Sequence, residues 1–186
     1  MKALISLSDG IKKFLEVLAF ASGWLLIVLM CVTCTDIIGR KFGLPIPLTK
    51  FQELEWHLHA AVFSMWMGYN YTINAHPRVD SYTETLGFRT KAWIEFLGCA
   101  LFAIPFMVVL VYYGWHFFWS SFLQNERSEN AVGLDARWII KGVFYVGLWL
   151  VLLGVISVFM RLCAVLFGNM SGEDAKLDIG HSELEV

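Results

Sequence analysis

The chain has 186 residues, 58% of them hydrophobic and 16% charged, with 14 basic against 16 acidic side chains and a mean hydropathy of +0.61. A water-soluble domain carries about 25% charged residues, so this composition argues against a soluble enzyme. The near-neutral balance, with no basic stripe, argues against a nucleic-acid binder. An integral membrane protein remains.

Uncharged runs occupy Val17–Thr35, Trp56–Ala75 (counting His as neutral), Phe96–Asn125 and Gly142–Met160. About 20 apolar residues cross about 30 Å of hydrocarbon, and runs of this length do not alternate as barrel strands do. The prediction is an all-α integral membrane protein. Four transmembrane helices are expected at about 14–35, 50–75, 90–124 and 139–161, with short interfacial helices between them. The first run follows Lys12 and Lys13, as a signal peptide would. It is longer than a signal core and no small-x-small site closes it, so a retained span is expected. Gly43, Pro45 and Pro47 then break the chain.

Thr49–Gln52 has the pattern of a capping box. It places Glu53 and Glu55 in the first turns of the second helix, where the positive helix end favours carboxylates. Ser81–Glu84 is a second such box, closed by Gly87, and suggests a short interfacial helix. The third run is too long for the bilayer, so it must tilt, project or kink, and Pro105 offers the kink. Tyr112, Tyr113, Trp115 and Trp119 crowd its far end as an interfacial aromatic belt would. Residues 1–167 read as one membrane domain. The remainder, 168–186, is acidic and is expected to be a disordered tail. Basic residues are slightly commoner on the side shared by both termini, which favours cytoplasmic termini.

Candidate chemistry is sparse. Cys31 and Cys34 form a CxxC inside an apolar run and suit packing better than metal binding. His57 and His59 in the second span and His116 in the third keep one alternative open, a b-type haem anchor subunit of an oxidoreductase. His57 and His59, two residues apart, point to different faces. No Ser/His/Asp set, phosphate loop or HExxH occurs. Glu16, Asp36, Glu53, Glu55, Glu95, Lys141 and Arg161 all fall at predicted span ends, which suits an accessory subunit better than an ion carrier. No enzymatic activity and no cofactor in this chain are expected. Gly147 and Gly154 in the fourth run could let a partner helix approach closely. Glu53, Glu55, Arg137 and Lys141 could pair with a partner's charges. In His76-Pro-Arg-Val-Asp80, Pro77 stops a helix and Arg78 suits the membrane edge.

Gln52-Glu-Leu-Glu-Trp-His-Leu58, His76-Pro-Arg-Val-Asp80, Arg89-Thr-Lys-Ala-Trp-Ile-Glu95 and Gly133-Leu-Asp-Ala-Arg-Trp-Ile-Ile-Lys141 occur in that order. They resemble the small membrane subunit of tripartite ATP-independent periplasmic (TRAP) transporters, over roughly residues 36–161. The chain has Asp135 where such subunits often carry Pro. The resemblance implies a subunit of the bacterial inner membrane with both termini cytoplasmic. Its partners would be a large multi-span subunit, a periplasmic substrate-binding protein and membrane lipids, with no nucleic acid involved. The large subunit would carry sodium and an organic acid or related solute as an elevator. This chain would support it and help the binding protein dock. His76, Arg78 and Asp80 would form a structural loop on the cytoplasmic side.

Overall fold

The computed structural model describes residues 1–75, 86–168 and 170–177. Regular structure among them is helical throughout: α1 (Lys2–Gly23), α2 (Leu25–Phe42), α3 (Leu48–Thr72), α4 (Phe88–Gly98), a π-helical turn (Cys99–Ala103), α5 (Ile104–Leu123) and α6 (Trp138–Gly168).

Three helical segments are long and apolar enough to cross a membrane: Lys2–Phe42, Phe88–Leu123 and Trp138–Gly168. Four were expected. The missing one is α3, whose 25 residues are long enough. Lys50, Glu53, Glu55, His57, His59 and Asn70 make it less apolar than its neighbours.

The first segment starts well before the expected residue 14. Trp24, between α1 and α2, keeps right-handed helical angles (φ −63°, ψ −25°), so the helical path runs for 41 residues. Its early turns hold too many charges to read as a span. They are helical because α6 continues to Gly168 and gives them a surface to pack on. Ser8, Leu15, Ala19 and Ser22 form the buried stripe, at the i, i+7, i+11, i+14 spacing of one helix face.

Gly43 ends α2 in the left-handed region (φ +63°) and donates its N–H to the Gly39 carbonyl, the usual glycine stop. The capping box at Thr49 does not form. Pro47 stands at the N-cap of α3 with no side-chain cap, and Gln52 instead accepts a bond from Arg40 Nη2 at 3.2 Å. The expected distortion at Pro105 is a π turn directly before it. Proline lacks an N–H and its ring clashes with the carbonyl four residues back, and a widened turn relieves both effects. The expected interfacial helix from Ser81 lies outside the described residues.

α6 is the hub. It packs against α1, α3, α4 and α5, and Leu150, Leu152, Val155, Leu162, Ala164 and Leu166 are buried along it. On one side Met107 and Val111 of α5 meet Val151 and Val155. Toward the C-terminal end, Ala92 and Cys99 meet Val158 and Leu162. The closest seam joins α6 to α3. A Cβ on Gly147 would lie 2.5 Å from Ser64 Cβ, and one on Gly154 would lie 2.5 Å from the Gly68 carbonyl oxygen. Later residues meet later residues, so α3 and α6 run in the same direction. Such small-residue seams replace the hydrophobic force that lipid removes.

The polar stretch after α6 is held in its first part. Residues 170–177 fold back, Ala175 is fully buried, and the Ala175 and Lys176 carbonyls accept bonds from Arg161 Nη1 at 2.9 and 3.1 Å. The expectation of a free tail therefore fails for these residues, because a buried guanidinium needs acceptors and they supply two.

Candidate functional site

Two polar clusters sit at opposite ends of the bundle. The first lies where α3 begins and α6 is about to begin. Glu53 is 8% exposed and faces the connection between α5 and α6. One carboxylate oxygen accepts from Ser128 Oγ and, at 3.0 Å, from Asn130 Nδ2. The other accepts the Leu134 amide at 2.6 Å. A carboxylate that receives several donors is held as an anion and fixes the donors in return. Any side chain on Gly133 would strike Ser128 and Glu53, so this glycine is needed for the close approach.

The connection is also tied to itself. Arg137 N–H donates to the Glu126 carbonyl at 2.9 Å and Ser128 N–H to that of Leu134 at 3.1 Å. Lys141 donates to the Glu126 carboxylate and lies 4.1 Å from the Phe117 ring centroid, a cation–π distance. Lys141 beside it holds the Glu126 carboxyl below the usual glutamate range. Arg127, Glu129 and Asp135 remain largely exposed, with loose pairs Arg127–Asp135 at 3.5 Å and Arg137–Glu129 at 3.9 Å. The result is a short, internally braced platform that presents charges of both signs.

The second cluster centres on Arg161, which is 4% exposed. Its Nε donates to Ser8 Oγ at 2.7 Å and its Nη2 to Asp9 at 2.5 Å. Ser8 and Ser157 hydroxyls are 2.8 Å apart, and Lys176 Nζ reaches Asp9 at 3.0 Å. The expectation that charges stand only at helix ends fails for Arg161, because α6 continues a further two turns. This cluster fastens α1, α6 and the segment 170–177 together.

The residues singled out by sequence separate accordingly. Glu53 is taken up inside the chain rather than offered outward. Lys141 is paired with Glu126, and Arg137 keeps only a loose pair. Gly147 and Gly154 face α3 of the same chain, which fills the close approach they allow. Glu55 lines a groove between α2 and α3. His76, Arg78 and Asp80 lie outside the described residues. Ser128, Asn130 and the Leu134 amide, which hold Glu53, went unnoticed in the sequence, although Gly133–Lys141 was a marked segment. Asp9 and Ser8 carried no signal.

The haem alternative lacks its geometry. His57 Nδ1 is bonded to the Glu53 carbonyl at 2.5 Å, one turn back in its own helix. His116 is exposed and packs on Tyr112 at 5.0 Å. α3 and α5 do not pack together among the described residues, so the two imidazoles are not on facing helices. No group of three or more His, Cys, Asp or Glu positioned for a metal occurs among the described residues.

The pattern of the family described as tripartite ATP-independent periplasmic transporters, DctQ component, matches residues 29–165. The chain belongs to the DctQ family. The match covers most of α2 through nearly all of α6, including the Glu53 clamp and the α3–α6 seam. It leaves out α1 and the segment after α6. No curated protein and no solved structure matches the chain. The DctQ family is a transporter component, and a braced, helical membrane chain accords with that role.

Proposed function

We propose that this DctQ-family chain is the small permease subunit of a TRAP transporter, supporting a large multi-span subunit in the bacterial inner membrane. The family match over residues 29–165 carries this reading. The chain itself performs no catalysis. Substrate and sodium are bound by the large subunit, and an organic acid or related small solute is the cargo class. The periplasmic substrate-binding protein docks partly on the platform at 124–137, whose exposed Arg127, Glu129 and Asp135 suit a soluble, polar partner.

In this reading α3 is a fourth span. Its 25 residues rise about 37 Å, enough to cross. The chain ends support an even number of crossings. Asp9 pairs with Arg161, and Met1 lies against Gly168, so the start of α1 and the end of α6 share one side. Three crossings would separate them. Both termini are then cytoplasmic, in line with the basic-residue count, and His76–Asp80, outside the described residues, falls on the same side. The platform and the Glu53 clamp are periplasmic.

The test is co-expression of this chain, carrying a tag, with the large subunit and the binding protein. Recovery of both membrane chains in one complex, and uptake only when all three are present, supports the reading. Uptake by this chain alone refutes it.

A further inference from the structure

Residues 171–177, which follow α6, are built as a closed turn. Ser171 Oγ accepts the Asp174 amide at 3.1 Å and donates to the Asp174 carboxylate at 2.8 Å, which caps the start. Leu177 N–H donates to the Gly172 carbonyl and Lys176 N–H to that of Glu173, both at 2.9 Å. This pair of bonds finishes a helical turn whose last residue but one is left-handed. Glycine usually fills that place. Here it is Lys176, at φ +50°. A lysine supplies what glycine cannot, an ammonium group that reaches Asp9 of α1 at 3.0 Å.

The turn meets three helices. α6 holds it through Arg161, which bonds the Ala175 and Lys176 carbonyls with one nitrogen and Asp9 with another. Toward α1 it offers the Lys176 ammonium. Toward α4, Leu177 packs on the cluster that contains Ala92 and Leu162. Gly172 lies so close to Phe88 that any side chain there would strike the ring. α1 and α4 do not pack on one another among the described residues, yet the turn touches both. α1 and the turn both lie outside residues 29–165, so this tie is an addition to the stretch that matches the family pattern.

We infer that residues 171–177 are a clasp that couples α1 to α4. Loosening either helix at this end of the bundle loosens the other through the turn, and with the clasp closed the ends of α1, α4 and α6 form one rigid block. Such coupling is reciprocal and needs an element that both helices bias. The turn is that element.

The test is hydrogen exchange of the full chain in lipid nanodiscs, read at the amides of 91–95 in α4 and of 4–12 in α1. Asp9→Ala removes the α1 side of the tie and alters nothing on α4. It should speed exchange at 91–95 about fivefold. Gly172→Val drives the turn off Phe88 and should speed exchange at 4–12 in return. A chain ending at Leu177 should behave as the full chain. One ending at Gly168 should exchange faster at both places. There Asp9→Ala should add nothing at 91–95, since effects that pass through one shared element do not add. If Asp9→Ala speeds exchange in α1 alone, the coupling is refuted. An equal effect at 91–95 with and without the turn routes the coupling through α6 and refutes the clasp. Faster exchange at both places already in the chain ending at Leu177 moves the tie beyond the turn and refutes it too. If the chain ending at Gly168 does not fold, Lys176→Gly takes its place, because glycine keeps the left-handed turn and removes only the ammonium. Combined with Asp9→Ala it should add nothing at 91–95, and additive rises there overturn the clasp.

Discussion

The Glu53 carboxylate accepts the Leu134 amide at 2.6 Å, so α3 fixes in space a connection far from it in sequence, the one between α5 and α6. A residue of α3 thereby sets the angle at which the chain enters α6. The same anion holds Ser128 and Asn130, and its loss would release three donors at once.

Glu53→Ala should therefore cost about 3 kcal/mol, since hydrogen bonds to a buried charge are worth roughly 1.5–3 kcal/mol each and do not add fully. Glu53→Gln should cost less, because it keeps acceptor capacity. Thermal unfolding in detergent gives the order. Protease cleavage within 126–136, expected in Glu53→Ala before global unfolding, locates the damage.

Gly154→Leu and Gly147→Leu should disrupt this chain itself, by roughly 3 kcal/mol, because Gly68 and Ser64 of α3 stand where the side chains would go. The folded yield of the chain expressed alone should fall along with recovery of the complex. A variant that folds normally alone yet loses its partner would instead move these glycines to a partner interface.

Arg161→Met should release the segment 170–177. The guanidinium satisfies Ser8, Asp9 and two carbonyls, and removing it should cost about 2 kcal/mol. Hydrogen exchange at Ala175 and Leu177 amides should rise. Asp9→Asn should have a smaller effect, because Asp9 is 37% exposed.

The Glu126–Lys141 pair gives the platform a pH dependence of definite sign. Lys141 holds the Glu126 carboxyl below its usual range, so its contribution is present above the ordinary glutamate pKa. It is lost as pH falls through the lowered value. Hydrogen-exchange protection of the 126–136 amides, corrected for the intrinsic pH dependence of exchange, should fall in acid, and Glu126→Gln should remove part of that fall.

Much of this architecture is legible in the sequence, for a physical reason. Apolar runs must be covered by lipid or protein, so the starts of α4 and α6 fall within two residues of those expected. Gly43 marks the end of α2 because only glycine takes a left-handed stop cheaply. What escaped the sequence depends on long-range pairing. The first turns of α1 are helical because α6 lies beside them, and nothing in residues 2–13 says so. Arg161 looked like a helix end because a charge usually is one. Its partners lie about 150 residues earlier in the chain, at Ser8 and Asp9. Glu53 was marked as polar and near a helix start, but Ser128 and Asn130 gave no sign of being its donors.

The start of α1 and the end of α6 lie together, and the proposed four crossings put them opposite the platform. Cysteines introduced at Asn130 and Ser171 should be modified from opposite sides of intact inner membranes, Asn130 from the periplasm and Ser171 only after permeabilisation. Modification of both from one side would remove α3 as a crossing.

In the proposed role this DctQ-family chain is an obligatory, non-carrying partner in a three-part transporter. Uptake of the labelled substrate by proteoliposomes holding the large subunit, with and without this chain, and with the binding protein outside, tests it most directly. The account predicts uptake only when both membrane chains are present, and none from this chain alone. Full uptake by the large subunit without it, or uptake by this chain on its own, would contradict the account.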